Sequence, residues 1–219
     1  MWCIPAITPL FVERMEDILT LYAKPYNKQE PVLCFDEKSK QLLSSSREHK
    51  NCREGIPRRV DYEYVRHDTV NIFMIVEPRG GYRTTQVTNR RTKRDFARAI
   101  KRVLALKRYS TATKIHIVLD NLNTHFKESL YETYGEEAEK ILQKIQFHYT
   151  PTHASWLNMA EIELSVMERQ CTKQRIQNST ILRKNLALWK KKRNNAHATI
   201  NWKFTVDDAR KVFKGDEIK

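Results

Sequence analysis

Two apolar runs each end in an aspartate, Val32-Leu33-Cys34-Phe35-Asp36-Glu37 and Ile115-His116-Ile117-Val118-Leu119-Asp120-Asn121, and a third acid, Glu161, follows in the helix-like segment Trp156–Leu164. Consecutive apolar residues bounded by turn signals suit strands buried on both faces, and ligands of open α/β sheets sit beyond the carboxyl ends of such strands. Both aspartates are therefore expected at one sheet edge. Three carboxylates converging there repel one another unless something neutralises them, and a hard divalent cation does so for an oxygen-only cluster. The chemistry of such a site is metal-dependent phosphoryl transfer, in which two ions roughly 3.5–4 Å apart stabilise the attacking and leaving oxygens. We assign Asp36 as the bridging ligand, Asp120 to one magnesium and Glu161 to the other.

Each acid also has a plainer reading when taken singly. Asp36 or Glu37 could end a strand in solvent, and Asp120-Asn121 could cap the next turn. The helix that carries Glu161 has an apolar stripe of Leu157, Ala160, Leu164, Met167 and Cys171, with Glu161 flanking it on one side and Glu163 on the other. Periodicity alone does not choose between these two glutamates.

The elements that must position the acids read as follows. Apolar residues Val12, Met15, Ile18, Leu19 and Tyr22 have helical spacing and predict a helix over 11–23 leading into the first strand, 31–38. Residues 39–60, rich in Ser, Arg and Lys, read as irregular connection. A hairpin is expected over 69–88, then a helix opened by the Thr92-Lys93-Arg94-Asp95 capping box, then the second aspartate strand from Lys114. Exposed helices broken at Gly135, a short strand over 145–149, a helix over 157–171, a basic helix over 180–193 and a last helix over 206–213 complete the chain. The order strand, strand, strand, helix, strand, helix, strand, helix is that of an α/β ribonuclease-H-like fold, a mixed five-stranded sheet flanked by helices. We expect an N-terminal helical lead-in (1–30), a catalytic domain (31–172) and a basic C-terminal helical extension (173–219).

The motifs Cys34-Phe35-Asp36-Glu37-Lys38, Leu119-Asp120-Asn121-x-x-Thr124-His125 and Tyr149-Thr150-Pro151-x-His153-Ala154-Ser155-Trp156-Leu157-Asn158-x-x-Glu161 resemble the DDE transposases of bacterial insertion sequences related to the mariner group. The resemblance spans roughly residues 30–172 and selects Glu161 over Glu163. It implies two magnesium or manganese ions, cleavage at transposon ends to expose 3′ hydroxyls, and transfer of those hydroxyls into target DNA by a homodimer. It also implies that Asn121 belongs to the motif of the second acid and that His125 positions the scissile phosphate or a water. His153 and Asn158 stand near the third acid, where either could orient a metal ligand; Trp156 reads as a core anchor. Forty residues separate Asp120 from Glu161, more than in eukaryotic mariner relatives. The family's N-terminal helix-turn-helix modules have no counterpart before Pro31, so a catalytic domain without its DNA reader is expected. The alternatives are a catalytically silent or domesticated DNA-binding remnant and a plain nuclease of the same fold.

Bulk composition points to the same partner. The chain has 219 residues, a formal net charge of +14 and a pI near 9.7, which favours a polyanion. The charge is clustered: residues 79–108 hold eleven Lys/Arg and one acid, and 172–193 hold eight and no acid. Within these clusters Arg90, Arg91, Lys93 and Arg94, beside a helix start, and Lys190, Lys191, Lys192 and Arg193, closing a helix, are the candidate DNA contacts. Cys3, Cys34, Cys52 and Cys171 lack zinc-site spacing, and the proximity of His49 to Cys52 has no second half to complete a site. With neither a secretory signal nor a membrane-spanning run, a cytoplasmic, nucleoid-associated location is expected.

Overall fold

The computed structural model describes residues 7–47, 55 and 62–213; His49 and Cys52, like Cys3, lie outside them. Its elements are α1 (Pro9–Ala23), β1 (Val32–Ser45), β2 (Tyr64–Glu77), β3 (Tyr82–Thr88), α2 (Lys93–Leu104), β4 (Ile115–Leu119), α3 (Lys127–Tyr134), α4 (Glu137–Lys144), β5 (Ile145–Tyr149), α5 (Met159–Met167), α6 (Ser179–Asn195) and α7 (Val206–Phe213). The five strands form one mixed sheet in the order β3-β2-β1-β4-β5. β1 is antiparallel to β2 and β2 to β3, whereas β1–β4 and β4–β5 are parallel. This is the ribonuclease-H-like arrangement.

The central strands are apolar on both faces because helices cover both. On one face Leu33 and Phe35 pack with Phe96, Ile100 and Val103 of α2, Leu130 of α3 and Ile141 of α4. On the other, Cys34 and Val118 pack with α1 and with Met159 and Ala160 of α5, while Met74 packs with Leu164, Met167, Leu182 and Leu186. The lead-in and the C-terminal helices thus share cores with the central domain: Leu182, Leu186 and Trp189 of α6 and Ala209 of α7 are all buried. Local signals set several boundaries. Thr92 and Asp95 form the expected capping box at α2. Gly135, at φ 55°, separates α3 from α4, a backbone conformation that favours glycine. No helix among the described residues is long and apolar enough to cross a membrane.

Two expectations about the elements are corrected. β1 does not stop at Lys38 but runs to Ser45, because Lys38–Ser45 pairs with the first half of β2, Tyr64–Ile72. Leu42 is the one fully buried side chain in the stretch 39–45, so no apolar signal marked it as strand. The helix expected over 157–171 is divided: a 3₁₀ turn at Ser155–Leu157, α5 itself, and a π-turn at Glu168–Thr172.

Candidate active site

The parallel pair β1–β4 places the first two acids. Cys34 lies opposite Val118, so continuing that register by two residues sets Asp36 level with Asp120. β4 ends at Leu119, one residue before Asp120. Because successive strand side chains point to opposite faces, Asp36 follows Cys34 toward α5 while Glu37 follows Phe35 toward α2.

The third acid is placed by a buried asparagine. Asn158 caps α5: its Oδ1 accepts from the Ala160 backbone N at 3.1 Å, while its Nδ2 donates to the Phe35 carbonyl at 2.8 Å. One side chain therefore fixes the start of α5 to the residue before Asp36. Glu161 falls in the first turn of that helix, where the backbone dipole favours an anion. Removing this clamp in Asn158→Ala takes away an N-cap and leaves a buried carbonyl unpaired. The expected loss is about 2–3 kcal/mol of stability, measurable by urea denaturation.

Glu161 and Glu163, equivalent by periodicity, have opposite surroundings. Glu161 is exposed, and its carboxylate makes no hydrogen bond or ion pair among the described residues. Glu163 is fully buried between two guanidinium groups, Arg83 Nε at 3.0 Å and Arg193 Nε at 2.6 Å. Only Glu161 is free to bind something else.

His125 is fully buried, edge-on to Phe35 and against Phe96. Its Nδ1 stands 2.5 Å from Asp120 Oδ1, and its Nε2 stands 3.0 Å from Glu37 Oε2, an ion contact outside hydrogen-bond alignment. Burial opposes charge on this ring, but the hydrogen bond to Asp120 and the contact with Glu37 outweigh it and push its pKa to about 9. Burial likewise opposes ionisation of Asp120, yet the His125 bond and charge hold its carboxyl below the usual range. Both ring nitrogens of His125 are turned to carboxylates. Its place is to hold Asp120 and screen its charge. Glu37, its second partner, was not among the candidate residues; the alternation of β1 is the signal that sends it to the opposite face from Asp36.

Asn121 anchors the loop after Asp120. It accepts from Arg14 Nη1 of α1 at 2.7 Å and donates to the Thr150 carbonyl at 2.5 Å, beyond the end of β5. His153, with φ 62°, is exposed in the turn before Ser155 and has no hydrogen bond or ion pair among the described residues. Trp156 is not a core residue: it is 44% exposed and stacks on Trp202, with Phe204 edge-on.

Asp36 records the crowding of acids. Its pKa is pushed up to about 7, first by burial and then by Glu161, Asp120 and Glu37, against the opposing hydrogen bond from the Glu37 backbone N at 2.8 Å. Among the described residues no three His, Cys, Asp or Glu side chains already stand close enough to hold a metal ion. The donor set nevertheless fits a hard divalent cation: all ligands are carboxylate oxygens, of the three only Asp120 has a cationic partner among the described residues, and Glu161 is unrestrained. Asp36, Asp120 and Glu161 would hold it.

The basic candidates divide. Arg90, Arg94, Lys191 and Lys192 are exposed, and Lys190 is half-buried. Arg91 Nη1 reaches to 3.7 Å from Glu37 Oε1, and Lys93 pairs with Glu132 at 2.5 Å. Arg193, expected on the DNA face, is instead turned inward onto Glu163, because that buried acid needs the charge.

Sheet order, flanking helices and the placement of the acids define the class of the domain: ribonuclease-H-like, with its carboxylates within β1 where its pairing with β4 ends, just past the end of β4, and at the start of α5. Residues 31–183 match the DDE superfamily endonuclease family, and the chain belongs to it. In fold it is similar to the Mos1 mariner paired-end complex with manganese, with a TM-score of 0.58 and 14% identity over 90% of this chain and 60% of that one. It is also similar to the Mos1 strand transfer complex, with a TM-score of 0.53 and 13% identity over 90% of this chain and 61% of that one. The chain thus spans about 60% of the length of these Mos1 chains. No curated protein matches it.

Proposed function

We propose that the chain is the catalytic domain of a mariner-related transposase of the insertion-sequence type, which cuts DNA strands at element ends and joins the exposed 3′ hydroxyls to target DNA as a homodimer. What supports this reading is the match of residues 31–183 to the DDE superfamily endonuclease family together with the register that sets Asp36 level with Asp120 and the Asn158 clamp that puts Glu161 at the start of α5 beside them, with Glu163 taken up by its own buried pairing. Two magnesium or manganese ions, when bound, would supply Lewis-acid stabilisation of the attacking and leaving oxygens. The protein's own part is positional. His125 and Glu37 fix the orientation of Asp120, Asn158 fixes α5 to β1, and Asn121 ties the intervening loop to α1 and β5.

The test is incubation of the purified chain with pre-cut element ends, target duplex and magnesium or manganese. Joined products are the expected result, and digestion without joining would replace the transposase reading with that of a plain nuclease. Asp120→Ala is expected to lower metal-dependent nicking by about 10²–10³-fold or more while leaving metal-free DNA binding in place. Unchanged nicking would remove Asp120 from the site.

A further inference from the structure

The basic residues of this protein fall into two populations. Lys93, Lys101, Arg108, Arg193 and Arg210 have carboxylate partners. A second group gathers, without acids to meet it, along the outer edge of the sheet. β3 is an edge strand, with α2 against one face of the sheet and α6 packed on β3 from the other. On α2, Arg94, Arg98 and Arg102 recur at four-residue spacing, about 6 Å of helix rise per step, and so line one face. From α6, Arg183 reaches over the strand and donates to the Val87 carbonyl at 3.4 Å. A cavity of about 620 Å³ opens between these walls, lined by Arg90, Arg94, Arg98 and Arg183 among others.

The side chains of Arg90, Arg94, Arg98 and Arg102 have no hydrogen bond or ion pair among the described residues. The single acid of the cavity, Asp95, is engaged by the backbone N and hydroxyl of Thr92 at 3.0 and 2.7 Å. Further along the edge, burial and the neighbouring Arg102 hold the Lys190 ammonium below its usual pKa, as expected of charges crowded without a counter-ion. β3 lies two antiparallel steps from β1, so its carboxyl end, where the cavity opens, is on the same side of the sheet as the acids. Thr85, three residues earlier, is level with Met74 and hence with Asp36. Arg91 bridges the remaining distance with its contact to Glu37.

We propose that this β3 edge, walled by Arg94, Arg98 and Arg102 of α2 and by Arg183 and Lys190 of α6, is a docking groove for the phosphate backbone of duplex DNA, separate from the carboxylate site and leading toward it. A regular line of unpaired guanidinium groups on a rigid helix matches a ligand whose negative charges are themselves regularly spaced, and Arg forms bidentate contacts with phosphate. The inference rests on the proposed DNA-processing role only for the identity of the polyanion.

The test is fluorescence anisotropy with a labelled duplex of arbitrary sequence, in EDTA, across a salt series. It compares the whole chain with Arg98→Gln/Arg102→Gln/Arg183→Gln and with a control that removes three exposed lysines elsewhere, Lys107→Gln/Lys127→Gln/Lys203→Gln. All six side chains are at or near the surface, and circular dichroism verifies folding. The groove variant is expected to bind at least about tenfold more weakly, with its log-log salt slope shallower by up to about 2.7, as for three lost phosphate contacts; the control is expected to change far less. Equal losses in the two variants, or an unaltered slope in the groove variant, would overturn the proposal. Because metal is absent, the result is independent of the catalytic reading. Groove-dependent binding by a chain that never cuts DNA supports the groove and removes the chemistry, whereas cutting with an unaltered salt slope does the reverse.

Discussion

Glu163→Ala is expected to destabilise the protein by about 3–5 kcal/mol, and Glu161→Ala, two residues away on the same helix, by less than about 0.5 kcal/mol. The difference follows from what each carboxylate touches. Glu163 and Arg83 are both fully buried at 3.0 Å, and Arg193 closes the other side at 2.6 Å and 3.0 Å. Deleting the acid leaves two guanidinium groups facing one another, one of them without access to water. The same deletion releases α6 from α5, because Arg193 and Glu163 join those helices. At position 161 the order reverses: stability is retained, and metal-dependent DNA cleavage is expected to fall by about 10²–10³-fold or more. Urea midpoints and nicking assays on the two variants check both halves. A Glu163→Ala protein as stable as the parent, or a Glu161→Ala protein as active, would dissolve the distinction.

That distinction shows where helical periodicity reaches its limit, since in the sequence only the Asn-x-x-Glu resemblance favours Glu161. Both glutamates flank the apolar stripe of α5, and helical period gives them equal standing. What separates them is Arg83, which lies on another element and is far away in sequence, so no local pattern announces it. The long-range pairing Glu163–Arg83–Arg193 likewise engages Arg193, an expected DNA contact, with a buried acid instead. Its three lysine neighbours carry the same charge, and only burial of a distant acid picks it out.

Features written into local chemistry were legible. The apolar runs of β1 and β4, the Thr92–Asp95 capping box, the break at Gly135 and the helix from Val206 to Phe213 stand where the residues place them. So does the level pairing of Asp36 with Asp120, because it requires only that two buried strands run parallel; that β1 runs on past Asp36 to Ser45 was not foreseen. The second half of β1 was illegible for the opposite reason. Residues 39–45 pair with β2 through backbone hydrogen bonds while burying only Leu42 among their side chains, so the pairing leaves almost no apolar pattern in the sequence. Trp156 misled for a related reason: a tryptophan beside a helix start reads as core, but its partners Trp202 and Phe204 come from a C-terminal segment that covers it only on one side.

Asp36 makes the acid cluster measurable without any substrate. An aspartate raised to about 7 in the folded protein, from an unfolded value near 3.8, destabilises the fold wherever the unfolded chain ionises it more readily. Below about pH 4 the group is protonated in both states and the penalty vanishes. Between pH 4 and 7 the unfolded chain releases the proton while the folded one keeps it, so stability falls as pH rises; above 7 the penalty is complete. About three pH units correspond to an upper bound of about 4 kcal/mol. Asp36→Asn retains an oxygen to accept from the Glu37 backbone N but carries no charge. In EDTA it is therefore expected to match the parent near pH 4 and to exceed it by about 2–4 kcal/mol at pH 8, as read from denaturation midpoints. Magnesium or manganese should raise the parent's stability at pH 8 and leave that of Asp36→Asn nearly unchanged, because an ion held by the carboxylates favours the deprotonated form that burial and repulsion disfavour. A variant no more stable than the parent at pH 8 would mean that Asp36 is not crowded by Asp120 and Glu161, and the case for a shared metal site would fall with it.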